Sequence, residues 1–331
     1  MAADWEPDVL GKPFEQLTLD LGVQGRHGPL VATLVRLRPK PVAALLQPLH
    51  DVDVLYVHGW SDFFFQTGLA TFWTGLGARF HALDLRRYGR SLRPENVPGY
   101  IDTLDDYDVD IEAALVAMGH GSDASPRRRL VLLGHSTGGL TLTLWAARHP
   151  GRASALVLNS PWLEFQFGAV GRQAIAPLVS ARARFDPLGT QPVVDLGFYT
   201  RAQLEVGALP LPVDEPGWRP ERGFPTRPGW LAAILEGHRR VAAGVEVGCP
   251  VLVLLSARST PPISWNETMT STDSVLVVDD IAKSATRIGR LVTIARIDGA
   301  IHDVFLSRPQ PRAQAYRSLD RWMRALPLQT A

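Results

Sequence analysis

The chain has 331 residues and a mass of 36.3 kDa, enough for two small domains or one large α/β domain with an insertion. Hydrophobic residues make up 46% and charged residues 20%, a globular composition that excludes intrinsic disorder as the main state. The 34 basic and 33 acidic side chains give a formal net charge of +1, so no overall field attracts nucleic acid or an anionic membrane, although a local patch is not excluded. A small molecule is therefore the expected partner.

The single cysteine, Cys249, excludes an intrachain disulfide framework and any multi-cysteine metal centre. The first residues, Met1 to Gln16, lack the apolar core of a secretory signal, and no run of eighteen apolar residues occurs. We therefore expect a cytoplasmic protein without an integral membrane segment. Neither a metal ion nor a cofactor is expected, and the sequence does not predict the oligomeric state.

Short apolar runs alternate with helical patterns along much of the chain, which is typical of a mostly parallel sheet with helices on both faces. An antiparallel pair comes first, at Phe14 to Leu21 and Leu30 to Arg38. The later predicted strands are Asp53 to Val57, Phe80 to Leu85, Leu130 to Gly134, Ala155 to Asn159, Val251 to Ser256 and Leu291 to Ile297. The predicted helices are Thr67 to Arg79, Tyr107 to Met118, Thr137 to Arg148, Asp280 to Ile288 and Arg312 to Leu326.

The alternation stops between Ser160 and Gly248, a segment of 89 residues that holds ten of the 26 prolines. We interpret residues 160–248 as a cap over a pocket, inserted into a core formed by residues 1–159 and 249–331. An irregular surface excursion is the alternative. Aromatic side chains are candidates for an apolar pocket, although each could instead hold the cap to the core. The candidate pocket residues are Phe63, Trp162, Phe165, Phe198 and Tyr199.

The most informative motif is Gly134-His135-Ser136-Thr137-Gly138, a G-x-S-x-G sequence that follows a buried-strand pattern and precedes a helical one. A serine at the apex of such a turn has a strained backbone, and the two glycines remove side chains that would collide there. Ser136 Oγ is therefore predicted to project above the sheet as a nucleophile. A glycine-rich turn without chemistry is the alternative.

At four segments the chain resembles the α/β-hydrolase superfamily, in particular its capped serine hydrolases: monoacylglycerol-lipase-like, lysophospholipase-like and S33 aminopeptidase-like proteins. The segments are Val57-His58-Gly59-Trp60, Asp84 to Ser91, Gly134 to Gly139 and Gly299-Ala300-Ile301-His302-Asp303. The resemblance implies an α/β-hydrolase fold and a triad in the chain order Ser, acid, His. It covers about Asp53 to Ser307.

Of the histidines after Ser136, only His302 follows a terminal strand and precedes the last helix, so the resemblance assigns it as the general base. The acid is not at the usual place, because Ala257-Arg258-Ser259-Thr260 stands where the family usually has an aspartate. The candidates further on are Glu267, Asp273, Asp279 and Asp280. We assign Asp273, displaced by an enlarged loop, with Asp279 as the principal rival, and expect Asp279 or Asp280 to cap the following helix.

Two backbone N–H groups are predicted to bind the oxyanion of the tetrahedral intermediate. One is that of Thr137, at a helix N-terminus. By resemblance, the other is that of Trp60, while His58 supports the loop by hydrogen bonding.

The predicted function is hydrolysis of carboxylic esters of small or lipid-like apolar substrates through an acyl-enzyme intermediate. A haloalkane dehalogenase or an epoxide hydrolase would use an aspartate where Ser136 stands. Peptidase or amidase activity and cofactor-free haloperoxidase-like activity stay open. The alternative from another class is a non-catalytic ligand-binding or interaction protein on the same fold.

Overall fold

The computed structural model describes residues 4–23, 28–37, 46–124, 127–190, 196–209 and 217–326. Its centre is a nine-stranded sheet with the order β1-β2-β3-β5-β4-β6-β7-β8-β9. The strands are β1 (Glu6–Pro7), β2 (Phe14–Val23), β3 (Pro29–Leu37), β4 (Val52–Val57), β5 (Arg79–Asp84), β6 (Arg129–His135), β7 (Ala155–Asn159), β8 (Val251–Ser256) and β9 (Val292–Ile297). β1, β2, β3 and β5 pair antiparallel in turn, whereas every neighbouring pair from β5 to β9 is parallel. The predicted α/β class with a mostly parallel sheet is confirmed.

Helices cover both faces of this sheet. They are α1 (Thr67–Gly75), α2 (Asp108–Met118), α3 (Thr137–Arg148), α4 (Gly168–Phe185), α5 (Phe198–Glu205), α6 (Pro228–Ala243), α7 (Val278–Ala285) and α8 (Pro309–Ala325). α1 and α8 pack in one apolar core, and α2, α3, α6 and α7 pack in the other. Because the sheet is covered on both sides, central strands such as β4 are buried at every position. None of the helices described above is long and apolar enough to cross a membrane.

Three of the predicted helices have bounds that differ by two residues or more in the structure, among them α8, which begins at Pro309 rather than Arg312. α1 ends at Gly75 rather than Arg79, because Gly77 turns the chain with a φ of +91° and β5 begins two residues later. α7 runs from Val278 to Ala285, so it begins and ends earlier than predicted, and its N-cap residue is Val277. Asp279 and Asp280 therefore lie in the first turn of α7, where their charge favours the helix dipole, and neither is its cap.

Residues 160–248, called the insertion below, connect β7 to β8. Their described part contains α4, α5 and α6 and contributes no strand to the sheet. α6 packs on the core: a Cβ at Gly237 would lie 2.8 Å from Leu104 and 3.2 Å from Leu140, so this glycine permits close approach to α3. α4 packs in turn on α6. α6, and α4 through it, thus lie on the face of the sheet that α3 covers.

Candidate active site

Ser136 lies in the turn between β6 and α3, with φ +50° and ψ −116°. This backbone conformation is strained for a residue with a side chain. The turn is held in place because the Ser136 N–H donates to Asn159 O at 3.0 Å and Ser136 O accepts from the Trp162 N–H at 3.0 Å. β7 and the start of the insertion therefore fix the backbone that presents the serine.

The glycines of the motif are required by close backbone packing. A Cβ at Gly138 would lie 2.3 Å from His58 O and 2.5 Å from Val57 O, and one at Gly134 would lie 2.6 Å from Gly139 Cα. No side chain fits at either position without moving the backbone. The turn at Ser136 therefore depends on α3 approaching β4 and β6 at these two glycines.

We expect Gly138→Ala to destabilise the protein by about 1 to 3 kcal/mol or more, because the methyl group overlaps two carbonyl groups of the core. Gly75→Ala in α1 is the matched control, since a Cβ there meets no atom within 4 Å and alanine favours the helix. Thermal and denaturant unfolding of both variants measure the difference. Equal stability of the two variants would contradict the packing argument.

His302 and Asp273 form a buried pair. His302 Nδ1 donates to Asp273 Oδ2 at 2.8 Å, and Asp273 is fully buried. The other carboxylate oxygen, Asp273 Oδ1, accepts the backbone N–H groups of Val275 and Leu276, each at 2.8 Å. These bonds fix the carboxylate and place the proton of His302 on Nδ1, which leaves Nε2 as the basic nitrogen.

The loop after β8 explains how an acid so late in the sequence reaches this place. After Thr260 the chain makes an excursion that includes a 3₁₀ turn at Glu267–Thr270, and it then returns. Asp273 pairs with residues just beyond β8: its N–H donates to Arg258 O at 2.9 Å and its carbonyl accepts from Thr260 N at 2.8 Å. Asp273 therefore lies at the carboxyl end of the sheet, beside the last residues of β8.

Asp279 is placed differently. Its side chain is 80% exposed and forms an ion pair with Arg296 of β9 at 2.7 Å. The structure thus brings Asp273, and not Asp279, into contact with His302. The role of either residue in catalysis stays a prediction.

His302 also lies close to the turn that carries Ser136. Its ring centroid is 5.0 Å from that of His135, the residue before the serine. Burial lowers the pKa of His135, whose Nδ1 donates to Asn159 O at 3.1 Å, so this neighbour stays neutral near pH 7. Within the described chain Ser136 Oγ makes no hydrogen bond. In unliganded sites such bonds are often long and shorten only when substrate binds.

A buried polar network that the sequence analysis missed links the serine turn to the histidine loop. Asn159 Nδ2 donates to Asp303 Oδ1 at 2.6 Å, and Asn159 Oδ1 accepts from Val304 N at 3.1 Å. Asp303 Oδ2 accepts from Gln66 Nε2 at 3.2 Å. Asn159 also holds Ser136 through its carbonyl, so one residue at the end of β7 fixes both predicted catalytic elements. The sequence feature that could have indicated this network is Asn159 itself, a polar residue at the end of an otherwise apolar strand.

The loop after β4 passes over the serine turn. A Cβ at Gly59 would lie 3.1 Å from Ser136 Cβ and 3.2 Å from His135 Cδ2. His58 holds this loop: its Nδ1 donates to Gly59 O at 2.7 Å, and its Nε2 accepts from Leu85 N at 3.2 Å. The next residue, Trp60, is one of the predicted oxyanion donors. Across the described ranges, neither the Trp60 nor the Thr137 backbone N–H donates to a protein acceptor.

The insertion contacts the same loop at three consecutive residues, Trp60, Ser61 and Asp62. The Trp60 ring lies 3.7 Å from that of Trp230, centroid to centroid, and Ser61 Oγ accepts from Phe224 N at 3.0 Å. Asp62 then pairs with Arg219 at 3.1 Å. Burial raises the pKa of Asp62, and the Arg219 guanidinium partly opposes this rise. Ser61, like Ser136, has a positive φ, of +53°.

The five candidate pocket residues do not form one continuous group. Tyr199 of α5 lies edge-on to His302, with ring centroids 5.3 Å apart, and its hydroxyl accepts from Asp303 N at 3.1 Å. The other rings have different neighbours. Trp162 packs on His238 and Trp230, Phe63 on Phe65 and Trp218, Phe165 on Phe167, and Phe198 on Trp265. Of the five, Tyr199 and Trp162 therefore contact the elements that carry His302 and Ser136, and Phe63 lies in one apolar cluster with Ile301, the residue before His302.

No group of three His, Cys, Asp or Glu side chains that could hold a metal ion occurs in the described part of the chain. The buried histidine of the insertion, His238, donates through Nε2 to Trp162 O at 2.9 Å, and burial lowers its pKa to about 4. His238 is therefore neutral near pH 7 and supports the backbone of Trp162.

The sheet order, the serine turn and the neighbouring His–Asp pair are those of an α/β-hydrolase fold, and similar solved structures share this fold. More specifically, residues 50–209 match the model of the family Hydrolase_4, serine aminopeptidase S33. The match ends before β8, so it includes Ser136 but not Asp273 or His302.

One curated protein and two solved structures, all three named as lipases, are similar to this chain. The chain is 34% identical over 82 residues to the (lyso)-N-acylphosphatidylethanolamine lipase of Bos taurus, a match covering 25% of this chain and 22% of that protein. The monoacylglycerol lipase structure from Paleococcus ferrophilus has a TM-score of 0.62 at 18% identity, covering 84% of this chain and 96% of that one. A soluble variant of the Saccharomyces cerevisiae monoglyceride lipase, in complex with a substrate analog, has a TM-score of 0.60 at 12% identity, covering 92% and 94%. At these identities the structures establish the fold.

Proposed function

We propose that this protein is a serine hydrolase that cleaves carboxylic esters of apolar acyl groups through an acyl-enzyme intermediate. The observation that carries the proposal is the buried His302–Asp273 pair beside a strained serine turn. A non-catalytic binding protein has no need for this combination. The similarity to the three lipases supports the same class.

In the proposed mechanism His302 Nε2 accepts the proton of Ser136 Oγ as the oxygen attacks the ester carbonyl. Asp273 holds the imidazole through Nδ1 and stabilises its positive charge, without taking the proton. The N–H groups of Trp60 and Thr137 bind the oxyanion. His302 then gives its proton to the leaving alcohol, and the same steps with water release the acid.

We propose further that the insertion is a cap over this site. Its contacts with Ser136 through Trp162, with His302 through Tyr199 and with the loop after β4 support this role. A cap that excludes water strengthens every electrostatic interaction inside the site. The aromatic residues between the cap and the core are suited to an apolar acyl group.

The proposal is tested by measuring hydrolysis of a panel of p-nitrophenyl esters, monoacylglycerols, lysophospholipids, lactones and aminoacyl amides. The Ser136→Ala variant is the negative control. Turnover of esters by the wild-type protein and none by the variant is the expected result. Hydrolysis of the amides alone would replace the esterase assignment by a peptidase or amidase. No hydrolysis of any member by well-folded protein would overturn the proposal.

Within the ester series, kcat/KM is expected to rise from acetate towards octanoate. Each buried CH₂ contributes about 0.8 kcal/mol or less, which is at most about fourfold per CH₂, until the pocket is full. Charged acyl groups are expected to be poor substrates because they lose hydration on entering an apolar site. The measurement is kcat/KM for p-nitrophenyl esters of even chain length. A flat or falling series would contradict the apolar pocket and leave the triad assignment intact.

A further inference from the structure

Asp303, the residue after His302, carries a buried carboxylate to which the proposed mechanism assigns no role. Its Oδ1 accepts from Asn159 Nδ2 at 2.6 Å and from the Phe305 N–H at 3.0 Å, and its Oδ2 accepts from Gln66 Nε2 at 3.2 Å. All three donors are neutral, and within the described ranges neither a lysine nor an arginine pairs with this carboxylate. Hydrogen bonds alone therefore hold a negative charge next to His302.

The capping role of Asp303 does not require this charge. Asp303 is the N-cap residue of the short 3₁₀ turn Val304–Leu306, and its carboxylate accepts from the second residue of that turn. Asparagine caps helices about as well as aspartate, and its amide oxygen can accept the same bonds. Burying an ionised carboxylate without a cation costs more than burying an amide. The charge itself therefore needs an explanation.

Titratable side chains of several elements face Asp303 and His302, and most of them are neutral. His135 of β6 lies against His302, and burial lowers the pKa of His135 although the Asp303 charge partly opposes this. Burial first, and the Asp303 charge second, raise the pKa of one tyrosine in each of three further elements. These are Tyr56 in β4, Tyr199 in α5 and Tyr316 in α8. All four side chains are therefore uncharged near pH 7.

The charged neighbours are fewer. Asp273, from the loop after β8, accepts from His302 Nδ1. The loop after β4 contributes Asp62, whose charge is offset by that of its partner Arg219 from the insertion. The charges that remain uncompensated beside the imidazole are thus two carboxylates, and both favour a positive charge on it.

We propose that Asp303 is a positioning residue whose buried charge favours the imidazolium form of His302. In the proposed mechanism His302 gains a proton as Ser136 attacks, and a nearby negative charge lowers the free energy of that state. Asp273 fixes the tautomer by a direct hydrogen bond, whereas Asp303 acts at longer range. The consequence for catalysis rests on the proposed function, but the effect on the protonation of His302 does not.

The test is an NMR titration of His302, in protein with isotope-labelled histidine, for the wild type and Asp303→Asn. The amide keeps the shape of the side chain and removes its charge. The midpoint of the His302 titration is expected to fall by about half a pH unit or more, because without the charge the imidazole takes up a proton only at lower pH. His302→Gln identifies the resonance, and circular dichroism establishes that each variant folds.

A second neutral cap keeps the test decisive if Asp303→Asn does not fold. Asp303→Ser also supplies a capping oxygen without a charge and is expected to lower the midpoint in the same way. An unchanged midpoint in either folded variant would overturn the proposal.

Two further variants separate charge from structure. Asp298→Asn, shortly before His302, removes a carboxylate that is 74% exposed and paired with Arg258, so the midpoint is expected to stay unchanged. Asp303→Asn with Gln66→Glu moves the charge by one hydrogen bond, since the new amide can donate to the new carboxylate. This double variant is expected to return the midpoint towards that of the wild type. A fall in Asp298→Asn equal to that in Asp303→Asn, or no recovery in the folded double variant, would contradict the proposal.

The second measurement is kcat/KM for one ester as a function of pH. In Asp303→Asn the acid limb is expected to move to lower pH by the same amount as the NMR midpoint, and kcat on the plateau is expected to fall by about threefold or more. A lower kcat with an unmoved acid limb and an unmoved midpoint would assign Asp303 a structural role only. If the folded wild-type protein hydrolyses no ester, the proposed function fails, whereas the NMR titration still decides whether Asp303 favours the imidazolium.

Discussion

Ser136→Ala is expected to lower kcat by about 10⁴ to 10⁶ on any ester that the wild-type protein hydrolyses. The hydroxyl is the only group of the protein that forms a bond to the acyl carbon in the proposed mechanism, and the remaining oxyanion donors retain only a small part of the rate. The same variant is expected to lose covalent labelling by a fluorophosphonate. Intact-protein mass spectrometry measures the labelling.

His302→Ala provides a second test of this assignment. The serine is still present in that variant, but its proton has no acceptor, so labelling is expected to slow by orders of magnitude. Thermal unfolding controls for loss of structure, because His302 is buried. Rapid labelling of the His302 variant would contradict its role as general base. Failure of the folded wild-type protein to label would favour a ligand-binding protein.

Asp273→Asn is expected to lower kcat by about 10⁴ while the fold is kept. The amide can accept from or donate to His302 Nδ1, and the donating form stabilises the tautomer in which Nε2 carries the proton and cannot act as a base. Asp279→Asn is the matched control, because it makes the same chemical change close by in the sequence, in the first turn of α7, at a side chain that is 80% exposed.

The two variants discriminate between the candidate acids when kcat is measured with one ester under the same conditions. Near-wild-type activity is expected for Asp279→Asn, whose ion pair with Arg296 is at the surface and contributes little. Normal turnover in Asp273→Asn with a severe loss in Asp279→Asn would transfer the role to Asp279.

The sequence predicted most of the sheet because its signals are local. Buried strands such as Ala155–Asn159 and Val251–Ser256 are short apolar runs bounded by turn residues, and their bounds match the structure. Ser136 was predictable for the same reason, since a glycine-flanked serine between a strand and a helix is a local pattern. The last turns of helices were less predictable, as at α1, where the apolar pattern continues beyond Gly77 but the chain turns there.

The helices of the insertion and the polar partners of the site were not predictable from local patterns, because they depend on contacts between residues that are distant in sequence. α4 exposes Val170, Leu178 and Phe185 and buries Arg172, so its apolar pattern does not indicate which side is packed. Asn159 and Asp303 are 144 residues apart, and nothing local to either residue indicates their hydrogen bond. The position of Asp273 beside β8 likewise depends on how an irregular loop closes, which apolar periodicity does not determine.

The contacts between residues 219–230 and the loop after β4 link the position of the insertion to the conformation of that loop. Moving this part of the insertion away from the sheet separates Trp60 from Trp230, Ser61 from Phe224 and Asp62 from Arg219. The loop that carries one predicted oxyanion donor would then lose three supports at once. If the insertion acts as the proposed cap, opening it for access to the site removes support from the predicted oxyanion loop. A ligand that binds better to the closed arrangement then shifts the protein towards it by the difference between its binding free energies for the two arrangements.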